Sequence, residues 1–117
     1  LTIKNGEELT REIARLAEDK KGDNIVSIDL QGISLVADYF ILISGNNERQ
    51  VQAIVKGIKE GLGVQEISPA RIEGEKDSRW VLMDYGEVIV HVFHREAREY
   101  YQLEKLWADA PQLELMS

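Results

Sequence analysis

The sequence predicts an α/β domain built on a mixed sheet of four to five strands flanked by helices, and three stretches carry that prediction. The first, Ser78 to His94, reads as a β-hairpin: Trp80 to Met83 and Val88 to Phe93 are rich in β-branched and aromatic residues. Between them lies Asp84-Tyr85-Gly86-Glu87, where Gly86 can take the positive φ of a tight turn. The second, Tyr39 to Ser44, is apolar almost throughout, as a strand is when both of its faces are covered. The third observation is helical spacing of apolar residues in Leu9, Ile13, Leu16 and Ala17, and again in Val51, Ile54, Val55, Ile58 and Leu62.

In chain order, Asn5 is a candidate helix cap with Glu8 at the capping-box position and acidic residues in the first turn. The first helix then runs to a basic last turn, Lys20-Lys21, and stops at Gly22. Asn24 to Leu30 is a strand whose alternation puts Ile28 and Leu30 on one face. Gln31 to Ala37 connects it to the strand at Tyr39, and Gly45-Asn46-Asn47 supplies a turn and cap for the second helix, which Gly61 and Gly63 end. That strand and helix form a βα unit, with a parallel neighbour expected across the crossover.

Val64 to Ile67 reads as an edge strand or a loop, Ser68-Pro69 as a break, and the charged stretch Arg71 to Asp77 as a loop leading into the hairpin. After His94 a third helix is expected, closed by Asp109-Ala110-Pro111 before a short tail. Its Tyr100, Leu103, Leu106 and Trp107 form a stripe read as packing. No repeat, linker or low-complexity segment divides the chain, so residues 1–117 are read as one domain.

Composition narrows the chemistry. The chain has no cysteine, which removes disulfides, thiolate metal sites and cysteine nucleophiles and fits a reducing interior. No apolar run reaches the length of a membrane span, and no leader of basic-then-apolar order opens the chain. A net charge of -7 disfavours binding to free nucleic acid and favours a partner with a basic surface.

Catalytic patterns fail one by one. His91 and His94, the two histidines, are three positions apart on or just past a strand and point to opposite faces, so no metal is assigned. Ser44 lacks a nucleophile elbow, and no glycine-rich phosphate loop is present, so no cofactor is assigned. Ile43-Ser44-Gly45 followed by a helix carrying Arg49 faintly resembles a nucleotidyltransferase turn. Those enzymes need two carboxylates on a later strand, and Val88 to Val92 carries none.

Several blocks resemble one family. Asp38-Tyr39-Phe40-Ile41, Glu73-Gly74, Trp80 through Phe93, and Arg98-Glu99-Tyr100-Tyr101 with Leu103-Glu104, Leu106-Trp107 and Asp109-Ala110-Pro111 look like the Iojap family, the ribosomal silencing factors. The resemblance implies a nucleotidyltransferase-like fold without known catalysis. It implies binding to the large ribosomal subunit through a ribosomal protein on its intersubunit face, a block on joining of the small subunit, and lowered translation when nutrients are short. It further implies self-association of members, and, with no presequence evident in these residues, a bacterial cytoplasmic location is expected.

Within the hairpin, Trp80, Leu82 and Asp84 share one face of an extended strand, and Val81 and Met83 share the other. The Trp80 face, with Tyr85 and His91, is therefore the expected partner surface, the alternative being that Trp80 packs in the core. Two further readings stay open: a nucleotidyltransferase-class enzyme using Asp38, Glu73 and Asp84, and a homodimeric module pairing through the same surface.

Overall fold

The computed structural model describes residues 3–115; the leader reading at Leu1 lies outside them. Helix α1 (Gly6–Asp19) leads into strands β1 (Asp23–Asp29) and β2 (Tyr39–Gly45), then helix α2 (Glu48–Gly63). Strands β3 (Arg71–Glu73), β4 (Trp80–Asp84) and β5 (Val88–His94) follow, then helix α3 (Arg95–Tyr101), the one-turn helix α4 (Leu103–Leu106) and strand β6 (Gln112–Leu113). The sheet has six strands in the order β3-β4-β5-β2-β1-β6. Among the described residues only β2 and β5 pair in parallel, and the connection between them runs through α2, β3 and β4. The strand that directly follows α2, β3, is an edge strand paired antiparallel to β4, and the remaining pairs are antiparallel too.

The expected four to five strands become six because two short edges complete the sheet. Strand β3 falls in the stretch read as a loop, and β6 in the tail after Pro111. Each holds two or three residues, too few for a period of their own, and each exists through pairing with β4 or β1. Val64 to Ile67, where an edge strand was one reading, is a turn, with Ile67 N–H donating to the Leu62 carbonyl.

The helices start where the caps predict. The Asn5 side chain accepts from the Glu8 N–H at 2.9 Å, and the Glu8 carboxylate accepts from the Lys4 N–H at 3.0 Å. Asn47 accepts from the Gln50 N–H at 2.8 Å. Gly61 does not end α2. A Cβ there would come within 2.3 Å of the Leu16 side chain, so this glycine lets α1 and α2 approach within the helix. The last expected helix is broken: Gln102 sits at φ 48°, separating α3 from α4.

The sheet buries different partners on its two faces. On one, Tyr39, Ile41 and Ile43 of β2, Val81 and Met83 of β4, and Val88, Val90 and Val92 of β5 pack under α1 and α2. On the other, Ile28, Leu30, Leu42 and Phe93 are covered by the shorter α3–α4 segment through Ala97, with Leu103 and Trp107 packed against them. Fourteen- and sixteen-residue helices cover the first face and only seven- and four-residue helices the second. The second face is therefore the one left partly open.

Candidate functional site: the aromatic face of the sheet

Strand β4 alternates between the two layers, with Val81 and Met83 buried and Trp80, Leu82 and Asp84 half-buried. Its partly open residues join an aromatic row across the second face. Ring centres run from Trp107 to Phe40 at 5.9 Å, Phe40 to His91 at 4.7 Å, His91 to Trp80 at 5.8 Å and Trp80 to Tyr101 at 4.8 Å. Trp80 also stacks on Phe93 at 5.0 Å. One side of the Trp80 indole packs in this row, and the rest meets solvent.

His91 lies beneath this surface at 4% exposure. Its Nδ1 accepts the Trp80 Nε1–H at 3.0 Å, and burial pushes its pKa down to about 4, so the neutral ring carries its proton on Nε2. That Nε2 is buried and meets no acceptor. Any effect of His91 on a partner therefore passes through the half-buried rings that cover it, Trp80 and Phe40.

The other expected contacts divide. Leu82 and Trp80 line a shallow depression with Glu73 and Gly74. A Cβ on Gly74 would fall 2.2 Å from the Trp80 carbonyl oxygen, so only glycine lets β3 turn this close to β4. Asp84 shares the face but serves the hairpin, accepting the Gly86 N–H at 2.8 Å and pairing with Arg71 at 3.4 Å. Tyr85 does not join Trp80. It packs against the α1–α2 layer, with a buried hydroxyl lacking a partner and a pKa pushed up to about 12 by burial. Past Asp84 the alternation carries Tyr85 to the opposite face.

Residues outside the expected set complete the surface. Phe40, Tyr101 and Trp107 extend the aromatic row, whereas Tyr100 and Leu106, read as packing, are 80% and 73% exposed. The break at Gln102 ends the helical spacing that made one stripe of them. The buried Arg98 holds the segment in place, donating to Ser44 Oγ at 2.9 Å and pairing with Glu104 at 3.0 Å. Nothing in the residue pattern marked that arginine as interior.

Of the carboxylates of the enzyme reading, Glu73 and Asp84 share Arg71, while Asp38 is separated from them by β5, its N–H donating to the Glu87 carbonyl. Among the described residues no three His, Asp or Glu side chains converge as a metal site. No helix among them is long and apolar enough to cross a membrane.

Comparison with known proteins decides the family. The family model described as "Ribosomal silencing factor during starvation" matches residues 3–117. The chain belongs to that ribosomal silencing factor family, RsfS. It is 47% identical over 111 residues to the ribosomal silencing factor RsfS of Halalkalibacterium halodurans, spanning 95% of each chain. Against that of Bacillus subtilis the identity is 46%, over 95% of this chain and 94% of the relative. A crystal structure from Bacillus halodurans superposes with a TM-score of 0.84 at 44% identity, covering 94% of this chain and all of the other. The RsfS family carries a regulatory rather than a catalytic name, and its α/β fold is the one described above.

Proposed function

We propose that this chain silences translation in the bacterial cytoplasm by occupancy, without turnover. It binds a basic ribosomal protein on the intersubunit face of the large subunit and so blocks joining of the small subunit under nutrient limitation. The observation that carries this reading is the half-buried Trp80–Leu82 surface, presented by a domain of net charge -7. A small apolar centre supplies most of the affinity of such contacts, while opposite charge speeds encounter and sets orientation. Family membership adds the silencing role from the printed family description.

The purified protein is expected to co-sediment with isolated large subunits and to reduce their joining to small subunits. Trp80→Ala is expected to weaken that binding roughly 30-fold, the loss typical of a central aromatic anchor. Undiminished joining at saturating protein would refute the proposal.

A further inference from the structure

A second apolar surface lies away from Trp80. The connection between β1 and β2 carries Ile33, Leu35 and Val36 at 53%, 106% and 74% exposure. These side chains are held outward by a built turn: the N–H groups of Ile33 and Ser34 both donate to the Leu30 carbonyl, and Val36 N–H donates to Ser34 Oγ at 3.0 Å. The ends of the loop are pinned by buried Leu30 and Ala37. A preorganised loop loses little entropy when a partner covers it.

Acidic groups border its base. Glu7, Asp38 and Glu87 line a depression with Gln31. Burial raises the pKa of Tyr39, and the charges of Asp29, Glu7 and Asp38 add to that shift, which places their fields at the same spot. The Asp38 and Tyr39 N–H groups donate to the Glu87 carbonyl, joining the loop base to the β4–β5 turn. The loop thus sits by the turn of that hairpin, at the end of β5 opposite the one where Trp80 pairs with Phe93.

We infer that the Ile33–Val36 loop is a second docking point for a protein surface bearing an apolar contact flanked by lysine or arginine. This rests on the large-subunit reading above, and the occupant is a basic protein of that particle. RNA phosphates and anionic lipid would be repelled by Glu7, Asp38 and Glu87, and a second copy would bring a like-charged border to the same place. Trp80 and the loop then grip the partner at two points, which fixes orientation as well as affinity.

The test is large-subunit binding by the parent, the double variant Leu35→Ser with Val36→Ser, and the double variant Glu7→Gln with Glu87→Gln. The first pair is expected to keep the parent melting temperature, since both side chains are exposed, and to bind roughly tenfold more weakly. The second pair is expected to flatten the dependence of binding on salt. A photo-cross-linking residue placed at Leu35 is expected to label a ribosomal protein. Parent-like binding by Leu35→Ser with Val36→Ser overturns this inference, as does labelling of ribosomal RNA or of a second copy. If Trp80→Ala weakens binding in the same assay, the silencing proposal survives that failure; if the parent itself does not bind, both fall.

Discussion

The indole Nε1–H of Trp80 donates to Nδ1 of His91 at 3.0 Å, and this bond couples a surface residue to the buried centre of the sheet. Removing the donor while keeping an aromatic ring separates packing from hydrogen bonding. Trp80→Phe leaves Nδ1 buried and unpaired, at about 1 to 3 kcal/mol. Trp80→Ala also forfeits the contacts with Phe93 and Tyr101, for a total of about 2 to 4 kcal/mol, below the full range because the indole is only half-buried. Urea unfolding measures both. If the ring itself is the partner anchor, Trp80→Phe retains more ribosome binding than Trp80→Ala.

His91 makes stability depend on pH. Its folded pKa is lowered from 6.5 to about 4 by burial, so between those values the unfolded chain binds a proton that the folded chain refuses. Stability is therefore full above pH 6.5, falls as pH drops through that window and levels off below about 4. The loss attributable to this one group is about 3 kcal/mol. His91→Gln, which retains an acceptor and cannot titrate, is expected to flatten the stability profile in that window; an unchanged slope would assign it to other groups.

Much of this fold is legible in the sequence because long periodic stretches leave little choice. The apolar runs at β2 and β5, the caps Asn5 and Asn47, and the turn glycine Gly86, found at φ +88°, all appear where their chemistry requires. What the pattern missed is what tertiary contact decides. Strands β3 and β6 are too short to have a period, the break at Gln102 uses a residue with no special turn preference, and Arg98 reads as surface until Ser44 and Glu104 surround it. The site was half legible. Alternation along β4 placed Trp80, Leu82 and Asp84 together, but the same alternation, carried one residue further, sends Tyr85 to the other layer.

Gly61 offers a test with a change of sign. Alanine in a helix interior is ordinarily better than glycine by about 1 kcal/mol. Here the added methyl meets the Leu16 side chain at 2.3 Å, and overpacking costs about 1 to 3 kcal/mol, so Gly61→Ala is expected to destabilise. With Leu16→Ala already in place the obstruction is gone, and the same substitution is expected to stabilise by about 1 kcal/mol. A double-mutant cycle by denaturant unfolding reads the reversal; equal effects in both backgrounds would mean that α1 and α2 simply move apart.

Arg98 is the pin for the aromatic face. Its guanidinium is 5% exposed and meets three acceptors from separate parts of the chain: the Asn24 carbonyl, Ser44 Oγ and the Glu104 carboxylate. Breaking a buried pair by removing one partner costs about 3 to 5 kcal/mol, and Glu104, at 36% exposure, recovers some hydration, which sets Arg98→Met at about 2 to 4 kcal/mol. Arg98→Lys is expected to rescue little, because a single ammonium lacks the planar fork that reaches those acceptors together. The consequence for function is local. Trp107 and Tyr101 are carried by the segment that Arg98 holds, so its loss is expected to shift tryptophan emission to the red and weaken partner binding before the main core unfolds. Hydrogen exchange that rises in α3 and α4 while β2 and β5 stay protected would confirm that order, and uniform loss of protection would show that the pin holds the whole domain.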